Sequence, residues 1–298
     1  MKLNQSTCKA ELEKSNLIPK KYYGQVFTTD ETVIRKLIDA IKTIYKPGTK
    51  IVEIGGGLGY ITKALTENFN DVDCVEVDEG LFEALSNKFV HYDSLACHCE
   101  QGRVMNKIFI HKLKSETFCP TEQSRRKNKK ITQQSRLRLI NDDILNYKPD
   151  ATDDLYPNKN YMLVGNIPFH ISGRLYRKFM SEIKHKPYGM VFITDKQYAT
   201  TLMGQPPRCY RVSLQAQAYG DIEIVADVPP SSVYPEPKVM SCIMKITHKP
   251  TPLPRNFWKV VNYHFENFPT KDVESPKTMG LKGWIELCQT KQPNLFSP

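Results

Sequence analysis

The sequence predicts an α/β fold: a mostly parallel sheet covered by helices on both faces, with one antiparallel strand and a small helical segment at the carboxy end. Three observations predict it. Short apolar runs alternate with stretches of helical periodicity from Thr29 to Thr194, the pattern of a parallel sheet whose crossovers are helices. A glycine turn, Gly55-Gly56-Gly57-Leu58-Gly59, joins the first such strand to a helix. After the alternating units, Val239–Ile246 reads as a last strand, antiparallel at one side of the sheet.

Taken in order, residues 1–20 read as a polar tail. Val33, Ile34, Leu37, Ile38, Ile41 and Ile44 recur at helical spacing between Thr29 and Ile44, and Pro47-Gly48 ends that helix. Lys50–Ile54 is a strand, and a helix starts near Tyr60. Asp71–Asp78 is a second strand and Glu79–Phe89 a second helix. From about His91 to Gln134 the periodicity is lost. A structureless connection of that length is uncommon inside a compact domain, so it reads as an insertion. The alternation resumes with strands within 136–145 and 161–169, a helix over Arg174–Ile183, a strand over Gly189–Thr194 and a helix over Lys196–Met203. Ser213–Gly220 and Asp221–Val228 look like a strand pair. Beyond Pro250 the prolines cluster, and helical turns are expected only at Phe257–Phe265 and Leu281–Cys288.

Composition excludes several classes. The chain has 298 residues, 40% hydrophobic and 25% charged, which is not the composition of a wholly disordered protein. No apolar run approaches the length of a membrane-spanning helix. The amino terminus lacks an apolar core and carries Glu11 and Glu13, which argues against a secretory signal and fits a mitochondrial transit peptide poorly. Eight cysteines in such a chain read as reduced thiols of an intracellular protein. The cytoplasm is the expected compartment, with nucleolus or mitochondrion as alternatives. Cys97-His98-Cys99, His111 and Cys119 invite a zinc reading, but C-x-C is tighter than the usual zinc pair and no second close pair follows, so no metal is expected.

The net charge of +10 is concentrated. Gln101–Arg138 holds 11 basic and 2 acidic residues, which leaves +1 for the rest of the chain. Such a cluster points to a polyanionic partner, nucleic acid ahead of a membrane surface, against the plainer reading of a solvated loop. Arg125, Arg126, Lys127, Lys129 and Lys130 form its densest part, and Arg174 and Lys238 are further candidate RNA contacts. No membrane partner is expected, and the chain is expected to be a monomer.

The motifs carry the chemistry. Glycines between a strand and a helix let backbone approach a ligand and adopt positive φ. A dinucleotide site would want a third glycine at Tyr60, which is absent. Glu76 ends the next strand, where a carboxylate can take both hydroxyls of a ribose. Asp143 ends the third, where one can accept from an adenine amine. Three strand tips serving one nucleoside fit the rule that open α/β sheets bind ligands at the carboxyl ends of their strands. Each acid alone could equally be a turn or cap residue. Asn166-Ile167-Pro168-Phe169 ends the fourth strand. The Asn166 side-chain oxygen and the Ile167 carbonyl can both accept from an exocyclic amine, localising a lone pair that otherwise conjugates into the ring. Pro168 stiffens the turn and Phe169 offers a stacking face. Alone, this would pass for an ordinary strand-to-helix turn.

In this order and spacing, with Gly24-Gln25-Val26-Phe27, Asp142-Asp143-Ile144-Leu145, Tyr210-Arg211-Val212-Ser213 and Tyr234-Pro235-Glu236-Pro237-Lys238-Val239, the chain resembles the ribosomal RNA adenine N6-dimethyltransferases. The resemblance implies a Rossmann-like class I methyltransferase sheet, S-adenosylmethionine as cofactor, and adenine in ribosomal RNA, free or in a pre-ribosomal subunit, as substrate. It implies cofactor contacts from Gln25, Phe27, Glu53, Gly55, Gly57, Gly59, Glu76, Val77, Asp143, Ile144 and Asn166. It gives the target adenosine to Asn166, Ile167, Pro168 and Phe169. Residues 21–249 would be the catalytic domain, with the insertion at about 91–134, and 250–298 a small carboxy-terminal segment. Adjacent adenines of the small-subunit RNA are the preferred target. A large-subunit enzyme of the macrolide-resistance type, or a non-catalytic nucleic-acid-binding factor on the same fold, are the alternatives. Departures from the family pattern include Gly56 for a proline, expected to loosen the turn, and Val233 for a phenylalanine near the base.

Overall fold

The computed structural model describes residues 3–96, 131–133, 136–147, 160–267 and 276–290. The first half runs α1 (Gln5–Lys14), β1 (Phe27–Thr28), α2 (Glu31–Ile44), β2 (Lys50–Ile54), α3 (Tyr60–Asn68), β3 (Val72–Glu76) and α4 (Glu79–Ala96). It continues with β4 (Ile131–Gln133), β5 (Leu137–Asn141), β6 (Tyr161–Asn166), α5 (Ser172–Arg177), β7 (Gly189–Asp195), α6 (Lys196–Leu202), α7 (Arg211–Tyr219), β8 (Gly220–Val228), β9 (Val233–Tyr234) and β10 (Ser241–His248). Two helices, α8 (Phe257–Asn267) and α9 (Leu281–Thr290), follow.

Eight strands form one sheet in the order β4-β5-β3-β2-β6-β7-β10-β8. The five from β5 to β7 are mutually parallel. The expected antiparallel strand is β10, which pairs with β7 on one side and with the edge strand β8 on the other. A second antiparallel strand, β4, pairs with β5 at the opposite edge and lies within the stretch read as an insertion.

Sequence dictates the layering. β2 and β3 are buried at every position, because helices cover both faces. The amphipathic α2 is capped by Asp30, whose side chain accepts from the Thr32 N–H. It buries Val33, Leu37, Ile38 and Ile41 on one face of the sheet, each contributing roughly 1.5–3 kcal/mol. Leu175, Tyr176 and Phe179 cover the other face.

Two expectations change. Ser213–Gly220 is not a strand but the body of α7. This helix is sandwiched: Leu214 packs with Phe257, Val260 and Trp284 of the carboxy-terminal helices, while Ala216 and Tyr219 pack on the sheet. Burial on two sides erases the single apolar stripe that would announce a helix. The polar tail also gives way. Within residues 1–20, α1 is closed by a capping box between Asn4 and Thr7 and buries Cys8 and Leu12 against Phe27, Leu58 and Leu81. Two buried side chains are too few to register as periodicity. Among the described residues no helix is long and apolar enough to cross a membrane.

Candidate active site

The glycine turn leaves β2 with Gly55, Gly57 and Gly59 at φ +71, +55 and +80°, the left-handed region glycine alone enters freely. A Cβ on Gly55 would meet nothing within 4 Å, so one side of the turn is an open cradle. A Cβ on Gly56 would lie 2.4 Å from Cys74 Sγ and 2.8 Å from Leu85 Cδ1, so the turn packs closely on β3 and α4 at a position with no room for a side chain. Glu76, at the tip of β3, is 4% exposed. One carboxylate oxygen accepts from the Gly57 N–H at 2.9 Å and the other from the Asp78 N–H at 2.9 Å. Burial raises its pKa, and those backbone donors oppose the rise. Val77 beside it is 42% exposed.

Glu53 lies directly under the turn. It is completely buried, and among the described residues neither carboxylate oxygen has a hydrogen-bond partner. Burial pushes its pKa up to about 7. Thr62 and Cys74 temper the shift without a well-formed hydrogen bond, and the nearby Glu76 adds to it. At the tip of β5, Asp143 is partly a turn acid: Oδ1 accepts from the Leu145 N–H at 2.8 Å. Ile144 sends its side chain into the core and gives its carbonyl to Lys178 Nζ at 3.0 Å, so its share in a ligand site is limited to the rest of its backbone.

A strap from the amino-terminal residues lies along this crevice. Gln25 accepts from the Lys20 N–H at 2.7 Å and donates to Asp78 at 3.1 Å, while Lys20 Nζ pairs with Asp78 at 2.7 Å. Burial pushes the Asp78 carboxyl up, but Lys20, the Leu81 N–H and Gln25 hold it below its ordinary value. Phe27 is buried against Gly57. From α1, Glu11 accepts from Tyr60 at 2.6 Å and from Lys88 at 2.8 Å, and Lys88 also donates to the Leu58 carbonyl at 2.8 Å. Gln5 donates to the Ser231 and Val233 carbonyls at 3.1 and 2.8 Å. Sequence reasoning gave Lys20, Glu11 and Lys88 no part in the site, because their partners are remote in sequence.

Asn166 ends β6 beside β2. Its Nδ2 donates to the Val26 carbonyl at 3.0 Å, with Thr28 Oγ1 at 3.4 Å. The amide is therefore oriented, and among the described residues its oxygen has no donor. The Ile167 N–H donates to the Ile193 carbonyl at 2.9 Å, and among the described residues no donor reaches the Ile167 carbonyl. Pro168 sits at φ −58°. Gly165, passed over in the sequence, is what brings the tips together: at φ +142° a Cβ there would lie 2.6 Å from the Ile54 carbonyl oxygen. A glycine inside a strand is itself a signal of close backbone approach. β1 and β9 pair Thr28 with Val233, so Val233 is buried in a ribbon that also carries Phe27.

A model of the ribosomal RNA adenine dimethylase family matches residues 17–100 and 122–271. The chain belongs to the ribosomal RNA adenine dimethylase family. Among curated relatives, a ribosomal RNA small subunit methyltransferase A from Dehalococcoides mccartyi (strain BAV1) is 29% identical over 238 residues, 80% of this chain and 66% of the relative, just short of two thirds of its length. The protein of that name from Campylobacter fetus is 28% identical over 280 residues, 93% of this chain and 84% of the relative. Among solved structures, the 23S rRNA methyltransferase ErmE superposes with a TM-score of 0.58 at 17% identity, covering 88% of this chain and 98% of that one. That likeness establishes the class I methyltransferase fold.

Of this dimethylase-family chain's candidate RNA contacts, Arg174 is exposed on α5 and Lys238 is exposed in the β9–β10 connection. Arg125, Arg126, Lys127, Lys129 and Lys130 lie outside the described residues, as do Cys97, His98, Cys99, His111 and Cys119. Among the described residues no group of three or more potential metal ligands comes together.

Proposed function

We propose that this chain dimethylates N6 of adenine in ribosomal RNA, using S-adenosylmethionine, with adjacent adenines of the small-subunit RNA as substrate. The observation that carries the reading is the oriented Asn166 amide, whose oxygen has no donor among the described residues, followed by the Ile167 carbonyl and next to an open glycine cradle. The cradle suits the cofactor on three counts. Gly55 leaves room for it. Glu53 is a buried carboxylate, without a hydrogen-bond partner among the described residues, whose charged form a cationic ligand in the cradle above it would favour, and Glu76 can accept from a ribose diol while held by two backbone donors. Gln25, Phe27, Gly57, Gly59, Val77 and Asp143 complete that surface in this reading.

When bound, the cofactor supplies a methyl group on a reactive sulfonium. The chain's part is to hold the acceptor. Asn166 and Ile167 accept from the amine, so the nitrogen lone pair points away from the ring and toward the donor. Phe169 steadies the unstacked base, and Pro168 keeps the turn stiff. The ammonium formed by transfer loses its proton to water, so no general base is required. Positioning and lone-pair localisation account for the rate. The basic run at 125–130 and the exposed Arg174 and Lys238 would contact phosphate, with residues 21–249 as the catalytic domain and 250–298 a helical appendage. The small-subunit target is supported by the names of the relatives and by Pro229-Pro230 with the Tyr234–Val239 loop.

The test incubates isolated small and large ribosomal subunits with isotopically labelled cofactor and maps dimethyladenine by mass spectrometry. Adjacent dimethyladenines on the small subunit are expected, falling at least about a hundredfold with Asn166→Ala while cofactor binding persists. Labelling of the large subunit alone would move the substrate to the alternative. Full turnover by the Asn166 variant would refute the mechanism.

A further inference from the structure

Beside the amine grip is a pocket of about 320 Å³ lined by Phe169, Ser172, Asp195, Gln197, Tyr198 and Thr201. Asn166, Ile167 and Pro168, which grip the methylated amine in the reading above, do not line it. Phe169, three residues beyond Asn166, is the wall nearest that grip in sequence.

Two aromatic side chains contribute to the pocket. Tyr198 is held in place by stacking on the buried Tyr176, with ring centroids 5.6 Å apart and planes 26° from parallel. Phe169 follows directly on the rigid Pro168. Two of the three hydroxyls are spoken for: Ser172 donates to the Pro168 carbonyl at 3.4 Å and Thr201 donates to the Gln197 carbonyl at 2.9 Å. Besides the Tyr198 hydroxyl, two polar groups remain. Asp195 uses Oδ1 to cap α6, accepting from the Tyr198 N–H at 2.7 Å, and among the described residues Oδ2 has no partner. The adjacent Lys196 makes its ion pair with Asp227 at 2.8 Å and, among the described residues, none with Asp195. The Gln197 side chain is exposed and likewise has no partner among the described residues.

This is an unusual wall for a protein that binds a polyanion. A bare carboxylate repels phosphate but accepts strongly from an N–H donor. An amide next to it reads a second edge, and aromatic faces take a base of any identity by stacking. We propose that this pocket receives a second RNA base, one that carries an exocyclic amine and flanks the methylated adenine. The proposal rests on the RNA substrate proposed above and adds a specificity determinant to it: adenine, cytosine and guanine carry an exocyclic amine for Asp195, whereas the exocyclic groups of uracil are both carbonyls and its one donor is the ring N3–H.

The capping geometry supplies a clean variant. In Asp195→Asn the amide oxygen must stay on the Tyr198 N–H, since asparagine caps a helix as well as aspartate, and the amide nitrogen then takes the place of Oδ2. The acceptor becomes a donor with the fold intact. Hairpin RNAs with the target adenine in the loop and each flanking position varied through the four bases are assayed for methyl transfer. A parallel set carries 2-aminopurine at each flanking position and is read by fluorescence. For the wild type, uracil at one flanking position is expected to lower kcat/KM about tenfold, the worth of one hydrogen bond to a charged acceptor. Asp195→Asn is expected to reverse that preference, and Tyr198→Ala to release the quenching of 2-aminopurine at the same position.

Transfer that is indifferent to both flanking bases, or a preference unchanged by Asp195→Asn, overturns the second-base pocket and leaves the methyl-transfer reading standing. Quenching that is lost in Tyr198→Ala without transfer on any RNA does the opposite. Neither signal in the wild type overturns both.

Discussion

Glu53 offers the sharpest physical test of the cofactor crevice. Its carboxyl is wholly buried and, among the described residues, without a hydrogen-bond partner, so burial lifts its pKa from the ordinary 4.5 to about 7. An acid whose pKa is raised by folding holds its proton longer in the native state than in the unfolded chain. Below pH 4.5 both states are protonated and nothing is lost. As pH rises from 4.5 to 7 the native state is progressively penalised, and above 7 the penalty is constant. At about 1.36 kcal/mol per pKa unit, the full penalty is about 3 kcal/mol, and about 1 kcal/mol of it is present at pH 5.5. Glu53→Gln keeps the shape and removes the titration. Its own amide costs something, but that cost does not vary with pH. The stability of Glu53→Gln relative to the wild type should therefore rise by about 2 kcal/mol between pH 5.5 and 8.5, read as a widening gap in urea midpoints without cofactor. Saturating S-adenosylmethionine should narrow the gap, because a cation beside the carboxylate favours its charged form. A gap that stays constant with pH would refute the reasoning, for it would mean that Glu53 titrates like any exposed glutamate.

Other expectations follow from the same geometry. Gly165→Ala, which brings a Cβ to 2.6 Å from the Ile54 carbonyl at positive φ, should cost more than about 2 kcal/mol in denaturant unfolding; a loss under half of that would show that the strand tips can part. Glu11→Gln weakens the partly exposed tie of α1 to Lys88 and with it the brace on the Leu58 carbonyl. Cofactor affinity by calorimetry should fall a few-fold with little change in melting temperature, and an unchanged affinity would make α1 a bystander. Replacing Arg125, Arg126, Lys127, Lys129 and Lys130 by alanine should flatten the plot of log affinity for RNA against log salt by about 0.7–0.9 for each phosphate no longer neutralised. An unaltered slope would assign that run no part in binding.

Much of the architecture was legible because it rests on local pattern. The strand–turn–helix around Gly55–Gly59 and the helix over Glu31–Ile44 announce themselves by apolar period and glycine, and both are where the sequence puts them. The elements that escaped did so for identifiable reasons. α7 is buried from two directions, so Leu214 and Ala216 serve different cores and no single stripe marks the helix. α1 buries only Cys8 and Leu12, and its polar residues point to partners such as Lys88 and Val233 that lie far along the chain. The acids were legible as residues but not as states: nothing in the sequence separates Glu53, stripped of partners, from Glu76, held by two backbone N–H groups.

The sequence by itself determined the alternation of helices and strands from Glu31 to Asp195 outside the insertion, the glycine turn, and the set of polar residues at the strand tips, because side-chain period and backbone permissiveness are properties of neighbouring residues. Tertiary structure alone decided which of those groups are free to act. The Asn166 amide is aimed by a carbonyl 140 residues away, and Asp195 Oδ2 is left over because Oδ1 is consumed by a helix cap. A hydrogen bond's partner is set by distance in space, and the chain brings those atoms together only when the whole sheet has formed.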